Sequence, residues 1–133
     1  MGLRRESREL ALKVLYIFAT AKTERDTAWE IVAGACGSEK VKSFARRLVW
    51  GTIDNLSFID SLIAKHARHW TIERIAVVDK SVMRMAIYEI FFEETIPKVV
   101  SINEAVELAK KYSTENSHKF VNGILDDIKV TEN

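Results

Sequence analysis

Residues 4–21 read RRESRELALKVLYIFATA, and this stretch decides how the rest of the chain is interpreted. On a helical wheel of about 100° per residue, its apolar side chains fall on one broad face. That face consists of Leu10, Ala11, Val14, Leu15 and Phe18. The spacing predicts a long amphipathic helix that packs against neighbouring helices.

The remainder of the chain continues as amphipathic helices with short breaks between them. They are predicted at residues 29–33, at 38–69 with a bend at Gly51, from 71 to just before Pro97, at 101–112, and from Ser117 onward. The helix predicted at 101–112 begins with the S-x-x-E pattern of a capping box, Ser101 to Glu104. One proline and five glycines disfavour a turn-rich β fold. The sequence therefore predicts an all-α fold.

Composition limits the classes of protein to which the chain can belong. Hydrophobic residues make up 47% of 133 residues, enough for the packed core of one domain spanning residues 1–133. No apolar run approaches the roughly 20 residues that cross a bilayer, and no signal peptide is evident, so we expect a cytoplasmic protein. A net charge of +1 argues against binding nucleic acid through overall charge, although a local basic patch remains compatible with it.

Catalytic and metal-binding patterns are sparse. The chain has no phosphate-binding loop, dinucleotide fingerprint or nucleophile elbow. His66 and His69 stand three residues apart on a predicted helix and could face one metal, but no third ligand is evident, and solvated or partly packed histidines are the alternative. Adjacent Asp126 and Asp127 are predicted to be solvated charges, and Cys36 a half-buried thiol. We therefore predict no enzyme, no cofactor and no metal.

The N-terminal helix carries a basic stripe opposite its apolar face. The stripe consists of Arg5, Arg8 and Tyr16, with Arg4 at its border. Arginine binds phosphate through a planar fork, and tyrosine can stack on an unpaired base, so the combination is typical of single-stranded RNA binding. The alternative is a solvated basic face, because Glu6 and Glu9 dilute the charge.

The C-terminal helix provides a second candidate surface. Its polar side holds His118, Lys119 and Asn122, and Phe120 lies near the edge of its apolar side. Gly123 in mid-helix costs about 1 kcal/mol relative to alanine. Such a glycine suggests the close approach of another backbone, and helix packing is the preferred explanation over a ligand.

Taken together, these features resemble the NusB family of bacterial transcription antitermination factors, over nearly the whole chain. The resemblance is carried by RRESR (4–8) before ALKVLY (11–16), WTIERI (70–75), MRMAIYE (83–89), and INEAVELAK (102–110) followed by KFVNGILD (119–126). The last pair is the most specific. The order and spacing of the four stretches match the family.

The resemblance implies a helical bundle of two packed helical subdomains and a non-enzymatic function. NusB-like proteins bind the boxA element of nascent ribosomal RNA as a single strand. They do so with NusE, a protein of the small ribosomal subunit, and join other Nus factors on RNA polymerase.

The family's functional residues carry over onto matching positions. The RNA surface corresponds to Arg4, Arg5 and Arg8, with Tyr16 on the same stripe, and more weakly to Lys119, Phe120 and Asn122. The NusE surface uses an acidic position in the central helix, matched here by Asp79. Glu6 and Ser7 interrupt the basic segment, which predicts fewer phosphate contacts and a shallower salt dependence.

Two other hypotheses stay open at this stage. One is a helical protein–protein interaction module that does not bind RNA, and the other is a small enzyme or metal protein using His66, His69 or Cys36. The sequence also leaves open a homodimer, which would hide the RNA stripe if it used the arginine helix.

Overall fold

Seven α-helices and one short 3-10 helix account for the regular structure of residues 2–132, the part of the chain that this computed structural model describes. They are α1 (Leu3–Ala21), α2 (Arg25–Ala33), α3 (Glu39–Asp54), α4 (Leu56–His66), the 3-10 helix (Ile72–Arg74), α5 (Val77–Phe92), α6 (Lys98–Tyr112) and α7 (Ser117–Thr131). No strand occurs among those residues, and the predicted all-α fold is confirmed. None of their helices has the length and apolar character required to cross a membrane.

The first compact unit contains α1, α2 and α3 and ends at Asp54. Helix α1 contacts both other helices, which explains why it buries more than one stripe. Ala11, Val14 and Leu15 are buried as predicted, while Leu10 and Phe18 are only half-buried. Ser7, one turn before Ala11 on the same face, is also buried, and its Oγ donates a hydrogen bond of 2.8 Å to the carbonyl oxygen of Val41 in α3.

The second compact unit begins at Asn55 and is built around α5. This helix contacts α4, α6 and α7, so nearly every side chain between positions 81 and 90 is buried. Buried polar groups usually have partners, and two polar side chains of this helix do, whereas the buried hydroxyl of Ser81 makes no hydrogen bond among the described residues. Glu89 accepts a hydrogen bond of 2.8 Å from Ser101 Oγ. Half-buried Arg84 forms a two-pronged ion pair with Asp60 of α4, both distances being 2.8 Å.

Several predicted helix boundaries are corrected by the structure. The helix predicted at residues 29–33 begins four residues earlier, at Arg25. The single helix predicted over 38–69 is two helices that part at Asn55 rather than bend at Gly51. The helix predicted from residue 71 is preceded by the 3-10 turn and starts at Val77. The prediction of a capping box at Ser101 is wrong, because α6 begins directly after Pro97. Ser101 lies inside the helix and donates a hydrogen bond to Glu89. The fixed φ of proline suits a helix start and explains the earlier beginning.

Candidate nucleic-acid interface

The predicted arginine stripe of α1 divides into exposed and buried members. Arg4 and Arg5 in the first turn are exposed, as is Tyr16, whose exposed fraction is 40%. Arg8 is only 4% exposed, so the prediction that it lies opposite the core is wrong. Because α3 packs beside this part of α1, Arg8 and, one turn later, Leu12 are covered. Arg8 is therefore part of the packing of the first unit.

Three arginines surround the half-buried ring of Phe44 on α3. The guanidinium carbons lie 5.0 Å from the ring centre for Arg4, 5.8 Å for Arg8 and 5.7 Å for Arg47. These distances are within the roughly 6 Å over which a cation is attracted to an aromatic face. We call this group, Arg4, Arg8, Phe44 and Arg47, the arginine–phenylalanine cluster. It orients the side chains of exposed Arg4 and Arg47 from two different helices.

Sequence reasoning missed Phe44 and Arg47. Phe44 belongs to the apolar stripe of its helix, and nothing in the sequence pairs it with α1. The available signal is the spacing of Phe44 and Arg47, since residues three apart lie on one helix face. The neighbouring Arg46 points elsewhere, with its guanidinium carbon 4.0 Å from the centre of the Trp50 ring. The two adjacent arginines of α3 thus contact different aromatic rings.

The C-terminal candidates lie on α7 beside an open cleft of the second unit. Lys119 and Asn122 are exposed, and Phe120 is half-buried. The cleft encloses about 430 Å³ and is lined by Lys119, Phe120 and Gly123 from α7 and by the segment that follows α4. A Cβ atom added at Gly123 would meet no atom within 4 Å. The prediction that Gly123 serves helix packing is therefore wrong, and this glycine faces open space.

Asp79 near the start of α5 is buried, with an exposed fraction of 6%. Its Oδ1 accepts a hydrogen bond of 2.5 Å from Ser113 Oγ, and its Oδ2 accepts one of 3.0 Å from Ser117 Oγ. These bonds tie α5 to the connection between α6 and α7. The carboxylate also borders a second cavity of about 290 Å³. Its predicted contact with a partner stays a prediction.

His66, at the end of α4, is buried and lies between two carboxylates. Its Nδ1 lies 2.6 Å from Asp127 Oδ2, and its Nε2 lies 2.9 Å from Glu132 Oε2. Asp127 is therefore paired and half-buried, so its prediction as a solvated charge is wrong. His69 is exposed beyond the helix end. Among residues 2–132 no three or more His, Cys, Asp or Glu side chains are grouped to hold a metal ion.

Glu132 joins the end of α7 to the end of α4. Its Oε2 accepts a hydrogen bond of 2.6 Å from Lys65 Nζ in addition to the contact with His66. The bond from Lys65, followed by that from His66, lowers the pKa of the Glu132 carboxyl below its ordinary value of 4.5. The ion pair of Lys65 with Glu132 and the hydrogen bonds of His66 with Asp127 and Glu132, which together we call the terminal ion-pair network, link two helices that border the cleft.

Helical units with exposed arginine, lysine and aromatic side chains define a small all-α protein with candidate surfaces for a polyanion. The NusB family model matches residues 5–129, and the chain belongs to the NusB family. It is 46% identical over 130 residues to the transcription antitermination protein NusB of Trichlorobacter lovleyi, an alignment that covers 97% of this chain and 92% of the relative.

Solved structures agree with this family. The fold is similar to that of T. maritima NusB, with a TM-score of 0.90, 42% identity, and coverage of 96% of this chain and 91% of that one. It is also similar, with a TM-score of 0.89 and 27% identity, to a chain in a crystal structure of the antitermination factors NusB and NusE in complex with double-stranded RNA. In that case 98% of each chain is covered. The predicted family is confirmed.

Proposed function

We propose that this protein is a transcription antitermination factor that binds boxA RNA of nascent ribosomal RNA transcripts together with NusE. It then joins other Nus factors on RNA polymerase, in the cytoplasm, and acts by binding rather than by catalysis. The observation that carries the proposal is the family match across residues 5–129, supported by similarity to a NusB solved with NusE and RNA.

In the first unit, the RNA contacts fall to the exposed side chains. Arg4 and Arg5 bind phosphates at the start of α1, and Tyr16, about three turns further along, stacks on or hydrogen-bonds a base. Arg47 adds a further cation, because Phe44 holds it beside Arg4. Arg8 is too well covered to be a main phosphate ligand. We assign it a structural role, in which its buried guanidinium packs against Phe44 within the cluster.

In the second unit, Lys119, Phe120 and Asn122 provide RNA contacts at one side of the cleft. Asp79 supports the partner surface indirectly. Since its two oxygens accept bonds from Ser113 and Ser117, we propose that it fixes the connection between α6 and α7 for NusE. Its mostly buried carboxylate leaves little surface for direct contact.

The test is a titration of fluorescently labelled boxA RNA with this protein, with and without its cognate NusE, at two salt concentrations. A scrambled single strand and a boxA duplex are the controls. We expect binding that prefers single-stranded boxA, tightens with NusE and weakens with salt. A complex with NusE that binds none of the RNAs would overturn the proposal and favour a helical protein–protein interaction module.

A further inference from the structure

The cleft of the second unit contains an exposed aromatic ring outside the predicted set of RNA contacts. Trp70, in the connection after α4, is 51% exposed. Its ring meets that of Phe120 edge to face, with centres 6.2 Å apart and an angle of 72° between the planes. The contact steadies the indole from one side and leaves much of its surface to the solvent. Such a ring offers a stacking platform that any nucleobase can use.

Cations surround this aromatic surface. Arg68 lies two residues before Trp70, and Lys119 precedes Phe120 on the opposite wall. The Arg68 side chain is 72% exposed, with a nitrogen 3.6 Å from Asp127 Oδ2. That carboxylate also faces His66, at 2.6 Å. The cleft therefore presents positive charge to a ligand, with its one lining carboxylate already engaged.

The cleft also has room for a small ligand. Its volume of about 430 Å³ falls within the roughly 300–1,000 Å³ typical of small-ligand sites. Gly123 contributes to that room, because a side chain at this position would project into open space. An aromatic platform, cations and available volume together match the chemistry of one unpaired nucleotide.

We propose that this cleft binds a single unpaired nucleotide of the RNA, with the base against Trp70 and the phosphate between Arg68 and Lys119. The inference rests on the proposed function and deepens it, since it adds a base-reading position formed by the connection after α4. Phosphate contacts alone position an RNA, whereas a stacked base in a shaped cleft contributes to sequence preference.

Variants at two positions of the cleft distinguish a loss of RNA binding from a loss of overall stability. Trp70→Ala should weaken binding of boxA RNA to the complex with NusE about 5- to 150-fold, as loss of one base stack worth roughly 1–3 kcal/mol implies, and Trp70→Phe should retain most of the affinity. Gly123→Leu should also weaken binding because it fills the cleft, yet it should raise the melting temperature, since leucine favours a helix over glycine. Unfolding cannot produce that combination.

A second readout locates the nucleotide. Placing 2-aminopurine at each boxA position in turn should reveal one position whose fluorescence is quenched on binding to wild type and not to Trp70→Ala. Wild-type protein that fails to bind boxA with NusE would overturn the proposed function as a whole. Wild-type binding combined with unchanged affinity and quenching in Trp70→Ala and Gly123→Leu would overturn the cleft alone.

Discussion

The two candidate surfaces use aromatic rings in opposite ways. In the arginine–phenylalanine cluster the ring is half-buried, and guanidinium groups lie over it. In the cleft, Trp70 is half exposed and the cations stand around it. The first arrangement holds arginine side chains in place, and the second leaves a ring exposed. Under the proposed function, similar residue types supply affinity through phosphates in one unit and selectivity through a base in the other.

The largest expected effect separates Arg8 from its exposed neighbour. Arg8→Ala should lower the free energy of unfolding by on the order of 2 kcal/mol, because the buried side chain packs against Phe44. Arg5→Ala, the matched control one turn earlier, should stay within about 0.5 kcal/mol of wild type, as exposed positions do. Urea denaturation measures both. Equal values for the two variants would show that Arg8 is not part of the packing.

The salt dependence of RNA binding distinguishes the two surfaces. Arg47→Ala should reduce the slope of log affinity against log salt by about 0.7, the value for one phosphate contact on a single strand. Arg46→Ala removes the same charge from the adjacent position, which contacts Trp50 instead, and should leave the slope unchanged. Trp70→Ala should lower affinity with an unaltered slope. A reduced slope in Trp70→Ala would contradict the assignment of a base, rather than a phosphate, to that ring.

The terminal ion-pair network predicts a pH dependence for the second unit. Because the pKa of Glu132 is lower in the folded protein than its ordinary 4.5, its contribution to stability is present above pH 4.5 and is lost as the pH falls through the folded value. Glu132→Gln should therefore be less stable than wild type at neutral pH, and the gap should close under acid. Thermal unfolding of both proteins between pH 3 and 7 measures this. A gap that is as wide at pH 3 as at pH 7 would show that the carboxylate charge is not its source.

The smallest effect concerns Gly123. Gly123→Ala should raise the free energy of unfolding by at most about 1 kcal/mol, since alanine is the better helix former and its methyl group meets no neighbour. RNA affinity should change little, because a methyl group takes up little of the cleft. Denaturation and RNA titration measure the two quantities. A loss of stability would mean that another backbone does approach this glycine.

Helical spacing within single segments predicted the helices better than it predicted which of their side chains are exposed. The extent of α1 and the burial of Ala11, Val14 and Leu15 follow from helical spacing within one segment. The same wheel misplaced Arg8, because a wheel treats one helix alone and α1 is contacted by two others. Where a neighbour decides which side of a residue is covered, spacing within the residue's own helix is insufficient.

The missed site residues depend on contacts between distant segments. Trp70 meets Phe120 across 50 positions of sequence, and Arg4 meets Phe44 across 40. The S-x-x-E pattern failed for a related reason. Ser101 has a long-range partner in Glu89, and Pro97 starts the helix earlier. Asp127 was misjudged because its partner, His66, lies on another helix.

Enclosure of α5 by three helices has a consequence for hydrogen exchange. Amides between positions 81 and 90 should exchange with deuterium only when the whole second unit opens, because α4, α6 and α7 together cover the middle of this helix. The connection after α4 is held by far fewer backbone bonds and should exchange rapidly. One labelling experiment thus gives a slow exchange rate from the α5 amides and a fast exchange rate from the amides of the connection after α4. A change in the slow rate reports the stability of the unit, whereas slowing confined to the fast amides reports protection at the cleft.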